Sequence, residues 1–171
     1  PYAQSKFEIE QKIDAYFQQG SEFLSLRFFN VYGPEQRLDS NYGAVVPIFI
    51  DRYTQGIQPT IYGSGKQSRD FVNVRDVSRL LVDLSIGEWA QPKQSVYNVG
   101  TGQSVTITEL ASLIHELSQS NLAFEPSFQT QRAGDIEHSV ASIEAIRRDF
   151  NWKPEISLKD GLRELIEVDS S

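Results

Sequence analysis

Tyr2 and Lys6 are the first residues of the chain whose types and spacing point to chemistry. Residues 2–19 have the apolar periodicity of a helix, and side chains four positions apart lie on the same helical face. A phenol has a pKa of about 10, and a neighbouring ammonium favours the phenolate, so such a tyrosine can accept a proton near neutral pH. The pair alone is weak support for a catalytic role, because many helices carry Tyr-x-x-x-Lys at their surface.

The composition is that of an ordinary globular protein. Of 171 residues, 39% are hydrophobic, which is enough for a substantial core, and the formal net charge is -7. This charge disfavours nucleic acid and anionic membrane surfaces as partners, although individual arginines can still hold a phosphorylated small molecule. There is no cysteine, and His115 and His138 are far apart in sequence, so we expect no metal site. The sequence has no long apolar run and no signal segment, which predicts a cytoplasmic protein.

The elements that must position Tyr2 and Lys6 alternate as in an α/β fold. Residues 23–29 predict a strand that is apolar on both faces, as in a parallel sheet covered by helices on each side. Thr106 and Glu109 predict a capping box at the start of a later helix, and either Asn73 or Asp76 caps the helix before it. Further strands are predicted over 59–62, 69–74, 95–100 and 122–126, and further helices over 44–55, 77–87, 106–117, 142–150 and 157–168.

Six short motifs follow one another in a fixed order along the chain. They are Tyr2-x-x-x-Lys6, Arg27-Phe28-Phe29-Asn30-Val31-Tyr32-Gly33-Pro34, Gly63-x-Gly65, Arg69-Asp70-Phe71-Val72-x-Val74-x-Asp76, Tyr97-Asn98-Val99-Gly100-x-Gly102 and Arg132-x-Gly134-Asp135. Together they resemble the extended short-chain dehydrogenase/reductase family, specifically its NAD-dependent nucleotide-sugar epimerases and dehydratases. The resemblance is strongest to UDP-hexose 4-epimerases, including those that act on N-acetylated sugars.

The Gly-rich dinucleotide motif of that family is absent from this sequence. The resemblance therefore implies the carboxyl-terminal half of such an enzyme, with NAD as the cofactor and its main binding motif outside this chain. The implied fold is the carboxyl-terminal part of a Rossmann-type parallel sheet plus a smaller α/β substrate-binding domain. Residues 1–34 would be the last helix and strand of the Rossmann domain, and 35–171 mainly the nucleotide-sugar-binding domain, with 69–100 returning towards the Rossmann sheet.

The resemblance also implies roles for the residues near the start of the chain. Tyr2 would be the general base for the sugar 4-hydroxyl, and Lys6 would stabilise its phenolate and bind the nicotinamide ribose. Tyr2, Phe28 and Phe29 would lie beside the cofactor. For the side chains of Phe28 and Phe29 we nevertheless expect burial in the core of the strand.

The remaining family positions would bind a UDP-sugar or a related nucleotide-sugar. Asn30 would contact the substrate near its diphosphate and sugar, Arg69 and Arg132 would clamp the diphosphate, and Asp135 would accept hydrogen bonds from the ribose. Residues matching the uracil pocket, for which ordinary packing is the alternative, are Val45, Val46, Thr60 and Tyr62.

The polar residues outside that set are expected to have plainer roles. Asp70 and Asp76 are expected to maintain structure, and His115 and His138 to lie at the surface. Family members often dimerise through the helix that bears the tyrosine, so the intact enzyme is expected to be a homodimer. The apolar stripe of Phe7, Ile13 and Phe17 is compatible with that interface and equally with burial against the sheet.

Three functions remain open from the sequence. The first is an epimerase acting at C4 of a UDP-hexose through a 4-keto intermediate, inactive as this isolated chain. The second is a 4,6-dehydratase or decarboxylase of the same family, which begins with the same oxidation. The third is a non-catalytic nucleotide-sugar-binding module, since the predicted diphosphate clamp lies inside this chain.

Overall fold

The computed structural model describes residues 2–36, 44–87 and 92–169. The helices in that part of the chain are α1 (Tyr2–Gln18), α2 (Val45–Thr54), α3 (Val74–Ile86), α4 (Ile107–Leu117), α5 (Glu144–Phe150) and α6 (Leu158–Asp169). The strands are β1 (Ser25–Phe28), β2 (Asn30–Tyr32), β3 (Thr60–Tyr62), β4 (Ser68–Arg69), β5 (Phe71–Asn73), β6 (Val96–Val99), β7 (Val105–Thr106) and β8 (Ser127–Gln129). None of the described helices is long and apolar enough to cross a membrane.

Three of the four strand pairs in the described part of the chain are parallel. β1 pairs with β6, β2 with β5 and β3 with β8, whereas β4 and β7 are antiparallel. The backbone amide of Asn30 donates to the carbonyl of Asp70 at 2.9 Å, which continues the β2–β5 register towards β4. Parallel strands joined through helices confirm the predicted α/β class. The pairing joins 71–73 and 96–99 to 25–32, while the division into two domains and the return of 69–100 to a Rossmann sheet stay predictions.

Two apolar clusters form the core of the described residues. One packs α2, α4 and α6 around Phe71, and the other packs α3 and α5 around Val72. Phe71 and Val72 are consecutive in β5, and successive side chains of a strand point to opposite faces. A single short strand therefore supplies both clusters, which explains why this stretch is apolar on both faces.

Asp70 connects three segments through one buried carboxylate. Its side chain accepts hydrogen bonds from the amides of Thr101, Gly102 and Ala141 and from the Thr101 hydroxyl, at 2.6–3.1 Å. A Cβ on Gly100 would lie 2.7 Å from the Asp70 carboxylate, so the close approach requires glycine at that position. The structure confirms a structural role for Asp70.

The helix starts agree with the predicted capping chemistry. Thr106 and Glu109 form the capping box of α4. Asn73, one of the two residues considered for α3, is its cap and accepts from the amide of Arg75. Asp76 is buried and accepts from the amides of Glu155 and Ile156, which confirms its structural role.

The strand predicted over 122–126 is wrong. The observed strand, Ser127–Gln129, begins at the residue after the predicted strand ends. Pro126 lacks the N–H that strand pairing needs, and Phe124 packs against the core. The surface position predicted for His115 is also wrong. Its ring lies 5.2 Å from that of Tyr53 and 5.6 Å from that of Phe124, and its Nε2 is 2.8 Å from the carbonyl of Leu122. His138 is exposed, as predicted.

Helix α1 attaches to the sheet through polar contacts. Arg27 of β1 donates twice to Glu10, which lowers the pKa of that carboxyl, and the Ser95 hydroxyl donates to Asp14 at 2.6 Å. Along the predicted apolar stripe, Ile13 and Phe17 are half-buried and Phe7 is exposed. The helix therefore presents apolar surface to solvent in this chain.

We predict that Asp70→Asn lowers the free energy of unfolding by about 2–4 kcal/mol, because it replaces an acceptor of four hydrogen bonds by an amide that leaves buried donors unpaired. Chemical denaturation measures the change. Glu22→Gln, the same loss of charge at an exposed position, is the control and is expected to stay within about 0.5 kcal/mol. Equal effects of the two variants would contradict the prediction.

Candidate functional site

Tyr2 and Lys6 lie one turn apart at the start of α1. The Lys6 side chain is exposed. Tyr2 is the first residue of the helix, and its side chain lies outside the described part of the structure. The helical spacing that motivated the pair is confirmed, and the catalytic roles stay predictions.

Phe28, Phe29 and Asn30 occupy the carboxyl end of β1 and the start of β2. Phe29 is half-buried and packs against the second apolar cluster. Phe28 is 46% exposed, so the expected burial of its side chain is wrong for this chain. An exposed aromatic ring and, two residues later, an exposed asparagine therefore lie at this edge, where ligands of parallel α/β sheets bind.

Arg69 and Asp135 form the best-buried ion pair of the candidate site. Nη2 of Arg69 lies 2.5 Å from Oδ1 of Asp135, and the two side chains are only 15% and 25% exposed. Nη1 of Arg69 donates to the carbonyl of Ser68 at 2.8 Å, which fixes the guanidinium plane. The two residues are 66 positions apart in sequence, so the fold itself brings these predicted site residues together.

Arg132 and Tyr62 form a second contact beside the first. The guanidinium carbon of Arg132 lies 4.2 Å from the centroid of the Tyr62 ring, which is cation–π geometry. The amide of Gly63 donates to the carbonyl of Gln129 and so extends the β3–β8 pairing. The residues that follow β8 therefore pass beside Tyr62. The amide of Asp135 donates to the carbonyl of Arg132 at 3.2 Å, so one turn links the two contacts.

The other residues predicted for a uracil pocket divide between the site and the core. The hydroxyls of Thr60 and Ser127 are 2.9 Å apart on the paired strands that carry Tyr62. Val46 is 2% exposed and belongs to the first apolar cluster, against which Val45 also packs. Packing in the core was the alternative considered for Val45 and Val46, and it explains the position of the Val46 side chain.

The backbone of Asn30 is hydrogen-bonded to the chain next to Arg69. Its amide donates to the carbonyl of Asp70, the residue that directly follows Arg69. The structure thus joins Asn30, Arg69, Arg132, Asp135 and Tyr62 through a continuous series of contacts. These are five of the predicted substrate positions, drawn from four separate segments of the chain.

Three buried tyrosines are unsuited to act as bases. Burial, joined at Tyr97 by the hydrogen bond to Asp149, raises the pKa of Tyr32, Tyr53 and Tyr97 to about 12. A phenol with such a pKa stays protonated near neutral pH. A tyrosine base must therefore be sought outside the core, and this condition is compatible with Tyr2 in the first turn of α1.

Ser68, Ser104 and His138 belong to the surroundings of this site, and sequence analysis missed the first two. The Ser104 hydroxyl donates to Ser68, whose own hydroxyl is 3.0 Å from Nδ1 of His138. Isolated serines carry no recognisable pattern, and the only available signal was the position of Ser68 immediately before Arg69. Among the described residues, no group of three or more histidines and carboxylates is placed to hold a metal ion.

Comparison with known proteins identifies the family. The model of the NAD dependent epimerase/dehydratase family matches residues 1–100 of the chain. The chain belongs to this family. A putative UDP-glucose 4-epimerase of Methanocaldococcus jannaschii is 34% identical over 168 residues, which are 97% of this chain and 52% of that protein. The chain thus spans about half the length of this curated relative.

Two further proteins illustrate the range of its relatives. UDP-glucuronic acid decarboxylase 1 of Xenopus tropicalis is 34% identical over 166 residues, covering 96% of this chain and 38% of that protein. The crystal structure of UDP-glucose 4-epimerase from Thermotoga maritima with UDP-glucose superposes with a TM-score of 0.87 at 31% identity, covering 99% of this chain and 53% of that one. The fold is therefore similar to that of Rossmann-type epimerases over almost the whole chain.

We predict that Arg69 and Asp135 are coupled by about 1 kcal/mol, because both partners are mostly shielded from solvent. A double-mutant cycle of Arg69→Ala and Asp135→Ala, read by chemical denaturation, measures this coupling. Arg163 and Asp160 form a more exposed pair and serve as the matched control cycle, with a smaller expected coupling. A coupling at Arg69 no larger than the control would contradict the ion pair.

Proposed function

We propose that this chain is the nucleotide-sugar-binding part of an NAD-dependent epimerase that acts at C4 of a UDP-hexose through a 4-keto intermediate. The observation that carries the proposal is the clustering of Arg69 with Arg132 and Asp135, which lie on one turn 63–66 residues later in the chain and form adjoining contacts with Tyr62 and Arg69. Two guanidinium groups and one carboxylate match the charges of a diphosphate and the hydroxyls of a ribose.

Binding is proposed to exchange protein contacts for ligand contacts. Arg69 and Arg132 would each donate to phosphate oxygens, and Asp135 would accept from the ribose hydroxyls. In the structure Arg69 is already oriented by the carbonyl of Ser68, so little side-chain ordering remains to be done when a ligand binds. Asn30, exposed beside this pair, would contact the substrate between diphosphate and sugar.

The chemistry is proposed to centre on α1. Tyr2 as phenolate would take the proton of the sugar 4-hydroxyl, and the Lys6 ammonium would stabilise that phenolate. NAD, when bound, supplies the hydride acceptor at the same carbon. The side chains of Lys6 and Phe28 are exposed and so fit contacts to the nicotinamide ribose and ring, whereas the half-buried Phe29 would contribute mainly its backbone.

The intact enzyme is proposed to be a cytoplasmic homodimer with α1 in its interface. The exposed Phe7 and the half-buried Ile13 and Phe17 of α1 support this assignment, because dimer interfaces cover apolar helix faces.

Calorimetric titration of the 171-residue chain with UDP tests the binding part of the proposal. We expect measurable binding that Arg69→Ala weakens by about 10- to 100-fold, since charge-assisted hydrogen bonds to phosphate are lost. Arg75→Ala is the matched control, because Arg75 pairs with Glu164 at an exposed position away from the cluster. No heat from the wild-type chain, or equal weakening by both variants, would overturn the binding proposal.

The catalytic part is tested in the longer enzyme that contains this chain. Tyr2→Phe is expected to lower turnover about 10²- to 10⁴-fold because the proton acceptor is removed. Tyr16→Phe, at an exposed position of the same helix, is expected to leave turnover unchanged. Near wild-type turnover of Tyr2→Phe would refute the assigned base.

The isolated chain is expected to be inactive. It lacks the Gly-rich motif that binds the cofactor pyrophosphate. NAD-dependent epimerisation by the 171-residue chain, followed by chromatography of the UDP-sugars, would contradict this expectation.

Decarboxylation is the second candidate, favoured by the similarity to a UDP-glucuronic acid decarboxylase. It begins with the same oxidation at C4, so Tyr2 and Lys6 would keep their roles. Incubation of the longer enzyme with UDP-glucuronate separates the two functions, because only a decarboxylase releases carbon dioxide and a UDP-pentose. A binding module without chemistry would give neither product and would retain UDP binding.

A further inference from the structure

Residues 131–139, here called the 131–139 segment, carry two of the proposed substrate residues and are hydrogen-bonded through their backbone to Ser68. The amide of Ser68 donates to the carbonyl of Glu137 at 2.8 Å, and the amide of Ser139 donates to the carbonyl of Ser68 at 3.1 Å. These bonds flank His138 on both sides and form an isolated parallel bridge between Ser68 and His138. The segment is therefore held at its carboxyl end, just after Asp135.

A chain of side-chain hydrogen bonds reinforces the same point. The Ser104 hydroxyl donates to Ser68 Oγ at 2.8 Å, and Ser68 Oγ lies 3.0 Å from Nδ1 of His138. Ser68 accepts from Ser104 and keeps its own proton, which Nδ1 accepts in the His138 tautomer that is protonated at Nε2. Ser68 is 4% exposed, which makes this donor costly to leave unpaired.

Ser68 also orients the arginine. Its carbonyl accepts from Nη1 of Arg69 as well as from the amide of Ser139. The same residue thus fixes the Arg69 guanidinium and the end of the 131–139 segment, from which Asp135 reaches back to Arg69. A shift of the segment at His138 would move Asp135 and Arg132 relative to that guanidinium.

We propose that His138, through its Nδ1 hydrogen bond to Ser68, is a positioning residue that holds the 131–139 segment in the geometry required for nucleotide binding. This inference rests on the proposed function, because it assigns Arg132 and Asp135 to the ligand. It gives His138 a role beyond the plain surface position expected from sequence. The ring need not touch the nucleotide, since its effect passes through Ser68.

The test compares His138→Leu with His138→Asn in the 171-residue chain. Leucine removes the acceptor, whereas the asparagine Oδ1 occupies nearly the same place as Nδ1 and can accept from Ser68. We expect His138→Leu to weaken UDP binding about tenfold and His138→Asn to stay within about threefold of wild type. Glu125→Gln, a change at an exposed side chain outside the 131–139 segment, is the control and is expected to bind as wild type.

Hydrogen exchange provides a readout that is independent of UDP. The amides of Ser68 and Ser139 are bonded across the attachment point, and they should exchange about tenfold faster in His138→Leu but not in His138→Asn. Ser68→Ala removes the same bond from the other side and should add little to His138→Leu when the two are combined.

The outcomes separate this inference from the proposed function. Absence of UDP binding by the wild-type chain overturns the proposed function, while the exchange rates still test the attachment. Normal UDP binding and unchanged exchange in His138→Leu overturn the positioning role. Equal weakening by His138→Leu and His138→Asn also overturns it, because the loss would then not come from the hydrogen bond.

Discussion

The carboxylate of Asp70 and the backbone around it hold together the parts of the chain on which the candidate site depends. The side chain is fully buried and accepts from Thr101, Gly102 and Ala141, while its backbone carbonyl accepts from Asn30. A buried carboxylate is stable only when its oxygens are saturated by donors, so these segments must arrive together. Arg69 directly precedes Asp70 in the chain, and its position follows from this arrangement.

The site is consequently built from the edge of the scaffold outward. β5 is shared by both apolar clusters, and Arg69 and Asp70 directly precede it in the chain. The 131–139 segment is then joined to Ser68 and bears Asp135, whose carboxylate meets Arg69. The charges of Arg69 and Asp135 would each be costly to bury alone, and they are paired in the structure. A nucleoside diphosphate would offer each of the two residues a new partner.

Sequence reasoning predicted the elements with strong periodicity and clear caps. α1, α3 and α4 have apolar stripes, and the Thr106 capping box is a local pattern that needs no tertiary information. The strand near 122–126 was misplaced because the apolar character of Leu122 and Phe124 reflects burial beside His115 rather than pairing. Apolar residues in a short run do not reveal which of the two they serve.

The site residues were predictable as a set only through their resemblance to a family. Arg69 and Asp135 are 66 positions apart, and no local pattern predicts their contact. The exposure of Phe28 depends on which other surfaces cover β1, and the burial of Val46 depends on how α2 packs. The roles of Ser68 and Ser104 could not be predicted from the sequence for the same reason, since they come entirely from tertiary hydrogen bonds.

The central claim is that the cluster of Arg69, Arg132 and Asp135 binds the nucleoside diphosphate of a sugar nucleotide. Two-dimensional NMR of the isotope-labelled chain during titration with UDP tests it most directly. The account predicts that shift changes concentrate at Asn30, at residues 60–70 and in the 131–139 segment. Changes confined to α5, α6 or other surfaces remote from these residues would contradict it.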